Sequence, residues 1–186
     1  RWSLETLLHG KPNIANYADL LQNATSYAEV QKTLITPSFT WDDLQHLRAR
    51  WKGRLLVKGI LHPQDAAKCV DIGCDGIIVS NHGGRQVAFG PPTVEALPAI
   101  AEEVAGRAVI ILDSGVRRGA DILRAKALGA DFAFAGRALA YGVGAGGQAG
   151  AGRAFEILQL ELIRALGQLG VPSFGDVGRS ELSLSG

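Results

Sequence analysis

Short apolar runs alternate with segments of helical periodicity from about Leu55 onward. The runs cover residues 55–61, 76–80, 108–112 and 131–135, and each is apolar on both faces, as expected of parallel strands covered by helices. The intervening periodicity predicts helices over residues 62–72, 93–105, 118–128 and 136–141, then a long amphipathic one over 153–169. Gly73 and Gly129 stand where a helix end must turn into the next strand. This is an α/β pattern, and repeated strand-helix units close either as a doubly wound sheet or as a TIM (β/α)8 barrel. The barrel is favoured if the chemistry falls at the strand C-termini. Four units make half of one. A half barrel leaves two parallel edges unpaired, so a piece of a larger protein is expected, in line with a chain that begins at Arg1 and contains no methionine.

The first fifty residues differ, mixing Trp2, Leu4, Leu7, Leu8, Ile14, Tyr17, Leu20 and Leu21 with polar residues and offering no strand. Thr40-Trp41-Asp42-Asp43 reads as an N-cap followed by first-turn acids, opening a helix to about Trp51. Residues 1–28 read either as a connecting segment with a short packed helix or as an interfacial membrane contact. The resulting division is residues 1–53, a connecting segment and helix with an interfacial contact as the alternative reading, and residues 54–186, the half barrel. Gly142-Val143-Gly144-Ala145-Gly146-Gly147 matches the spacing of a dinucleotide-binding loop, but no strand precedes it, and residues 142–152 read instead as a flexible linker.

Composition changes this picture little. Nearly half of the 186 residues are hydrophobic and the net charge is +1, which describes an ordinary globular chain and gives a nucleic-acid partner no electrostatic support. Cys69 and Cys74 fit neither a disulfide framework nor a metal site, and reduced thiols in a packing role are expected of a cytoplasmic protein. No run is long enough to cross a bilayer.

Candidate chemistry gathers at the predicted strand ends. Lys58 lies within an otherwise apolar strand, so either a buried anion or electron-rich ligand accompanies it, or its ammonium snorkels to water from the strand end. In Ser80-Asn81-His82-Gly83-Gly84-Arg85-Gln86 the His82 and Arg85 spacing lets an imidazole and a guanidinium face one small ligand. Histidine exchanges protons near neutrality, arginine offers a planar fork to a carboxylate, and the glycines allow close backbone approach. Asp113-Ser114-Gly115-Val116-Arg117-Arg118-Gly119 and Gly136-Arg137 each carry a strand into a helix, where backbone N–H groups and arginine form a phosphate site. Asp113 suits a ribityl or ribose hydroxyl. Surface salt bridging is the plainer reading of Arg117, Arg118 or Arg137 taken singly.

On the Ser80–Gln86 motif, with Val57-Lys58-Gly59, the Asp113 loop and Gly136-Arg137 in order, the chain resembles the FMN-dependent (S)-2-hydroxy-acid dehydrogenase and oxidase family. The resemblance implies a TIM barrel of which this is the C-terminal half. It implies FMN as cofactor and a small 2-hydroxy acid as substrate, oxidised to the 2-keto acid. It places His82 as the base at the substrate α-carbon, Arg85 on the substrate carboxylate and Lys58 at the flavin N1/O2 edge. Ser80, Asp113, Ser114, Gly115, Val116, Arg117, Gly136 and Arg137 would hold the FMN. The Arg1-Trp2-Ser3-Leu4 opening and Asp113-Ser114-Gly115, where many members carry two glycines after the aspartate, look most like the (S)-mandelate dehydrogenase branch. That branch implies peripheral membrane contact on the cytoplasmic face, and the full-length enzyme is expected to be a homo-oligomer. Val87-Ala88 departs from the family's usual Leu-Asp pair, a change that bears on local packing or subunit contact. The family's first half supplies other flavin contacts, active-site tyrosines and the aspartate that orients the histidine. Rival readings are another phosphate-binding barrel enzyme, and a half barrel inactive without a complementary N-terminal half.

Overall fold

A computed structural model describes residues 2–10, 27–34, 37–87 and 89–181. The chain divides into two compact units, residues 1–44 and residues 45–186. In the first lie helices α1 (Trp2–His9) and α2 (Tyr27–Leu34). Leu4, Leu7 and Leu8 of α1 are exposed. The remainder of the expectation for residues 1–28 lies outside the described residues, apart from the start of α2. Helix α3 (Trp41–Arg50) crosses the boundary. It begins as its sequence predicts: Thr40 Oγ1 accepts from the Asp43 amide at 3.3 Å while the Asp43 carboxylate accepts from the Thr40 amide at 2.8 Å.

In the second unit, β1 (Leu56–Ile60), β2 (Gly76–Val79), β3 (Val109–Asp113) and β4 (Phe132–Phe134) form one parallel sheet in the order β1-β2-β3-β4. Helices α4 (Pro63–Asp71), α5 (Thr93–Val104) and α6 (Gly119–Ala127) connect consecutive strands. Helix α7 (Arg137–Leu169) follows the last strand. This is the strand order and connectivity of half a (β/α)8 barrel. The core follows from the strand runs: Ile77, Val79, Ile110 and Leu112 are buried together with Leu97, Ile100 and Val104 of α5. Each contributes about 1.5–3 kcal/mol by leaving water.

Two joints share one device. After α4, Gly73 adopts φ +91°, the Cys74 amide reaches the Cys69 carbonyl at 3.0 Å, and the Asp75 carboxylate accepts from the Leu55 amide at 2.8 Å. After α6, Gly129 adopts φ +105°, the Ala130 amide reaches the Ala125 carbonyl at 3.0 Å, and the Asp131 carboxylate accepts from the Ile110 amide at 2.9 Å. Glycine ends the helix and aspartate fastens a neighbouring strand.

Several expectations need correcting. The edge strands are not covered as fully as the central ones: Leu56 of β1 and Phe132 and Phe134 of β4 are exposed, each strand having a partner on one side alone among the described residues. Lys58 is accordingly not deeply buried, its side chain keeping 41% of its accessible area. Residues 142–152 are not a flexible linker but helical, and the two helices predicted around them are one span, α7, broken at Gly146 and Gly147. The chain turns back at these glycines and its two arms touch backbone to backbone. A Cβ on Gly150 would stand 2.0 Å from the Gly142 carbonyl oxygen, so side chains are excluded there. A glycine run reads as slack in sequence, whereas here its lack of side chains is what permits the helical contact.

Candidate active site

All four strands point their C-terminal ends the same way, and the loops leaving them build the site. In β1 the register slips between Lys58 and Ile60, a bulge centred on Gly59 at φ +100°. Lys58 Nζ then donates to Ser80 Oγ at 2.9 Å and pairs with Asp113 Oδ2 at 3.0 Å. Ser80, only 1% exposed, donates in turn to Asp113 Oδ2 at 2.5 Å. Thus one polar cluster ties the ends of three neighbouring strands. Burial pushes the Asp113 carboxyl up, but the Ser80 hydrogen bond, the Lys58 ammonium and the Ser114 backbone outweigh it and hold it below the ordinary carboxylate range. An ammonium has three N–H donors. Two are used here, and the half-exposed side chain leaves the third for a ligand.

The Ser80–Gln86 loop takes an uncommon backbone. His82, Gly83 and Gly84 have φ of 55°, 69° and 74°, a left-handed turn that costs histidine conformational energy and suits the two glycines. The His82 amide donates to Ser80 Oγ at 3.1 Å. The Gly83 amide donates to Asn81 Oδ1 at 3.1 Å and to Ser114 Oγ at 3.0 Å. Non-glycine residues persist in such conformations where the surroundings hold them, and these sites cluster where function needs them. Room for the imidazole comes from Gly59, since a Cβ there would meet His82 Cε1 at 3.1 Å. A Cβ on Gly83 would stand 3.3 Å from both Arg85 Nη1 and Arg137 Nη2. Two guanidinium groups therefore converge on one glycine, and neither has an ion-pair partner among the described residues.

A cleft of about 80 Å3 collects nearly every residue the sequence singled out: His82, Arg85, Asp113, Ser114, Gly115, Val116, Arg117, Gly136 and Arg137, joined by Gly83 and Phe134. Lys58 and Ser80 join it through Asp113. A cavity of about 370 Å3 adjoins it, with Gly83, Ser114, Gly115, Val116 and Arg137 lining both. The two helix starts proposed for phosphate are not equivalent. At α6, the Arg117 and Arg118 amides donate to Asp121 Oδ2 at 3.0 and 2.9 Å, the Gly119 amide donates to Glu161 Oε2 at 2.9 Å, and Arg118 pairs with Glu161 at 3.3 Å. These donors are occupied, and Arg118 is a structural ion pair. Helix α7 instead starts at Arg137 behind Gly136 with no side-chain cap. Its N-terminal amides, with Arg137 beside them, suit a phosphate.

The chain matches the model for FMN-dependent dehydrogenases over residues 1–184. It belongs to the FMN-dependent dehydrogenase family. Among curated members it is 40% identical to the L-lactate dehydrogenases of Serratia proteamaculans (98% of this chain, 49% of that protein) and Chromohalobacter salexigens (97% and 47%). Among solved structures it superposes on a monotopic membrane protein, (S)-mandelate dehydrogenase, with a TM-score of 0.91 at 36% identity, covering all of this chain and 49% of that one. A mandelate oxidase with (S)-4-hydroxymandelic acid gives 0.71 at 39% identity, over 74% of this chain and 39% of that one. The chain spans about half the length of the curated relatives it matches. The family is FMN-dependent, and the donor set here fits part of that cofactor: unpaired arginines and open helix-start amides for its phosphate, and a carboxylate for its sugar-like hydroxyls.

Four contributing residues carried no assignment from sequence. Gly59 makes space, Asn81 caps the turn, and Thr93 donates to the Ser114 carbonyl at 3.2 Å. Gly119 lets α6 meet α7, for a Cβ there would stand 2.2 Å from the Leu162 amide nitrogen. Gly59, Thr93 and Gly119 act on residues far along the chain, and of these only Gly59, lying within a strand run, offers a sequence signal, whereas Asn81 acts locally on Gly83.

Proposed function

We propose that the protein carrying this chain oxidises a small (S)-2-hydroxy acid, mandelate-like or lactate-like, to the 2-keto acid with FMN. The observation that carries the reading is the shared cleft in which the left-handed turn presents His82 beside Arg85 and Arg137, both guanidinium groups lacking a carboxylate partner among the described residues. His82 takes the proton from the substrate at its reacting carbon end. Arg85 holds the substrate carboxylate through its planar fork. FMN, when bound, supplies the two-electron acceptor that turning an alcohol into a ketone requires. Lys58, with an N–H left over beside Ser80 and Asp113, would help hold the flavin and would offset negative charge on it. Ser80 and Asp113 hold Lys58 in place and, with Ser114, Gly115, Val116, Arg117, Gly136 and Arg137, bind the cofactor.

The test is anaerobic flavin bleaching by (S)-mandelate and L-lactate in the FMN-loaded protein and in His82→Asn, chosen because asparagine tolerates the left-handed backbone. Loss of an acid–base group predicts slowing by about 10²–10⁴-fold. An unchanged rate in the variant overturns the assignment.

The same reading makes residues 1–53 the connecting and membrane-facing segment, residues 54–186 the half barrel, and the full-length enzyme a cytoplasmic homo-oligomer touching the membrane peripherally. The membrane contact is supported by the monotopic membrane character of the mandelate dehydrogenase relative and by the exposed Leu4, Leu7 and Leu8. No helix among the described residues is long and apolar enough to cross a membrane. Co-sedimentation with anionic vesicles, weakened by Leu7→Gln with Leu8→Gln, is the expected result. Equal recovery with and without vesicles overturns the membrane contact.

A further inference from the structure

Ser114 occupies a backbone conformation that a serine should avoid. Its φ is +81°, deep in the left-handed region where glycine alone is free of steric cost. The following residue, Gly115, has φ +84°, so the chain runs through consecutive left-handed positions with only the second given to glycine. What the serine gains is visible in its hydroxyl. Ser114 Oγ accepts from the Gly83 amide at 3.0 Å, lies within 3.4 Å of Asp113 Oδ2 as a donor, and stands 3.5 Å from Ser80 Oγ. One hydroxyl thereby uses its acceptor on the His82 turn and its donor on the strand-end cluster. Its own carbonyl is held by the hydroxyl of Thr93, which is 4% exposed.

We propose that Ser114 is a positioning residue whose hydroxyl fastens the His82–Gly84 turn to the Lys58–Ser80–Asp113 cluster. The proposal rests on the role given to His82 above. The Gly83 amide is the middle N–H of the turn, and Asn81, its other acceptor, belongs to the same loop. Asn81 can order the loop internally but cannot fix it to β3. The His82 amide reaches β3 through Ser80 Oγ, which donates to Asp113, and Ser114 adds a second link, from the Gly83 amide to the residue that follows Asp113.

The experiment compares Ser114→Gly and Ser114→Asn with the parent, all FMN-loaded. Glycine keeps the backbone and removes the link. Asparagine tolerates left-handed φ and offers an amide oxygen to Gly83. In Ser114→Gly, hydrogen exchange at the Gly83 amide should accelerate by about tenfold or more, as for a local hydrogen bond lost without global unfolding. Its kcat for hydroxy-acid oxidation should fall by about tenfold with KM nearly unchanged, the pattern of a displaced transition-state group. Ser114→Asn should recover most of both. Unchanged Gly83 exchange in Ser114→Gly overturns the proposal, as does faster exchange with kcat intact. If the parent itself shows no flavin reduction by any 2-hydroxy acid, the functional reading fails, while the exchange measurement still decides whether Ser114 fastens the turn.

Discussion

At Asp113, burial disfavours the charge while Ser80, Lys58 and the Ser114 backbone favour it, and the balance leaves the carboxyl depressed. A depressed folded pKa contributes stability above the unfolded value of about 3.9, and that contribution disappears as pH falls through the folded value. Asp113→Asn should therefore lower thermal stability at pH 7 by on the order of 1 kcal/mol, modest because Lys58 remains 41% accessible. The gap to the parent should close only below the ordinary carboxylate range, as unfolding scans across pH can check. Cys69 behaves differently: burial first, then the neighbouring Cys74 and Asp65 charges, push its thiol up to about 12. With so little thiolate at pH 8, it should resist iodoacetamide in the native protein and react on unfolding. Rapid native alkylation at Cys69 would contradict this. The gathering of His82, Arg85 and Arg137 in one cleft was legible in sequence, because they announce themselves by type and by glycine neighbours. Which helix start keeps its amides open was not, since nothing local reveals that Asp121 and Glu161 already fill the α6 amides.

Among the elements, α7 departed furthest from expectation. Gly142, Gly144, Gly150 and Gly152 all argue against a helix by propensity, and tertiary contact overrides that preference at Gly142 and Gly150 alone. The distinction is measurable. Gly144→Ala, where a Cβ meets nothing within 4 Å, should stabilise by up to about 1 kcal/mol. Gly150→Ala should destabilise by roughly 1–3 kcal/mol, because its Cβ would enter the Gly142 carbonyl. Opposite shifts in melting temperature would establish the backbone contact, and equal shifts would remove it. Strands and the helices between them were read nearly to the residue, since apolar run length and helix-stop glycines are local signals. A contact between glycines eight residues apart leaves no such mark.

For the molecule as a whole, the sheet presents two parallel edges. Leu56 borders one and Phe132 and Phe134 the other, while an apolar groove of about 490 Å3 runs beside β4 between Leu139, Phe155 and Leu162. Uncovered strand edges with apolar neighbours promote association. The 186 residues expressed by themselves should sediment as more than a monomer, with the proportion rising with concentration, and a monomer at every concentration would count against it. Between these edges, the paired Gly73–Asp75 and Gly129–Asp131 joints have a consequence of a different kind. Each closes a helix and clips a neighbouring strand with the same two residues, and they stand two strand-helix units apart. The chain is thus composed in phrases of two units with a common punctuation, so the natural places to cut, duplicate or graft it lie at those joints rather than between every strand and helix.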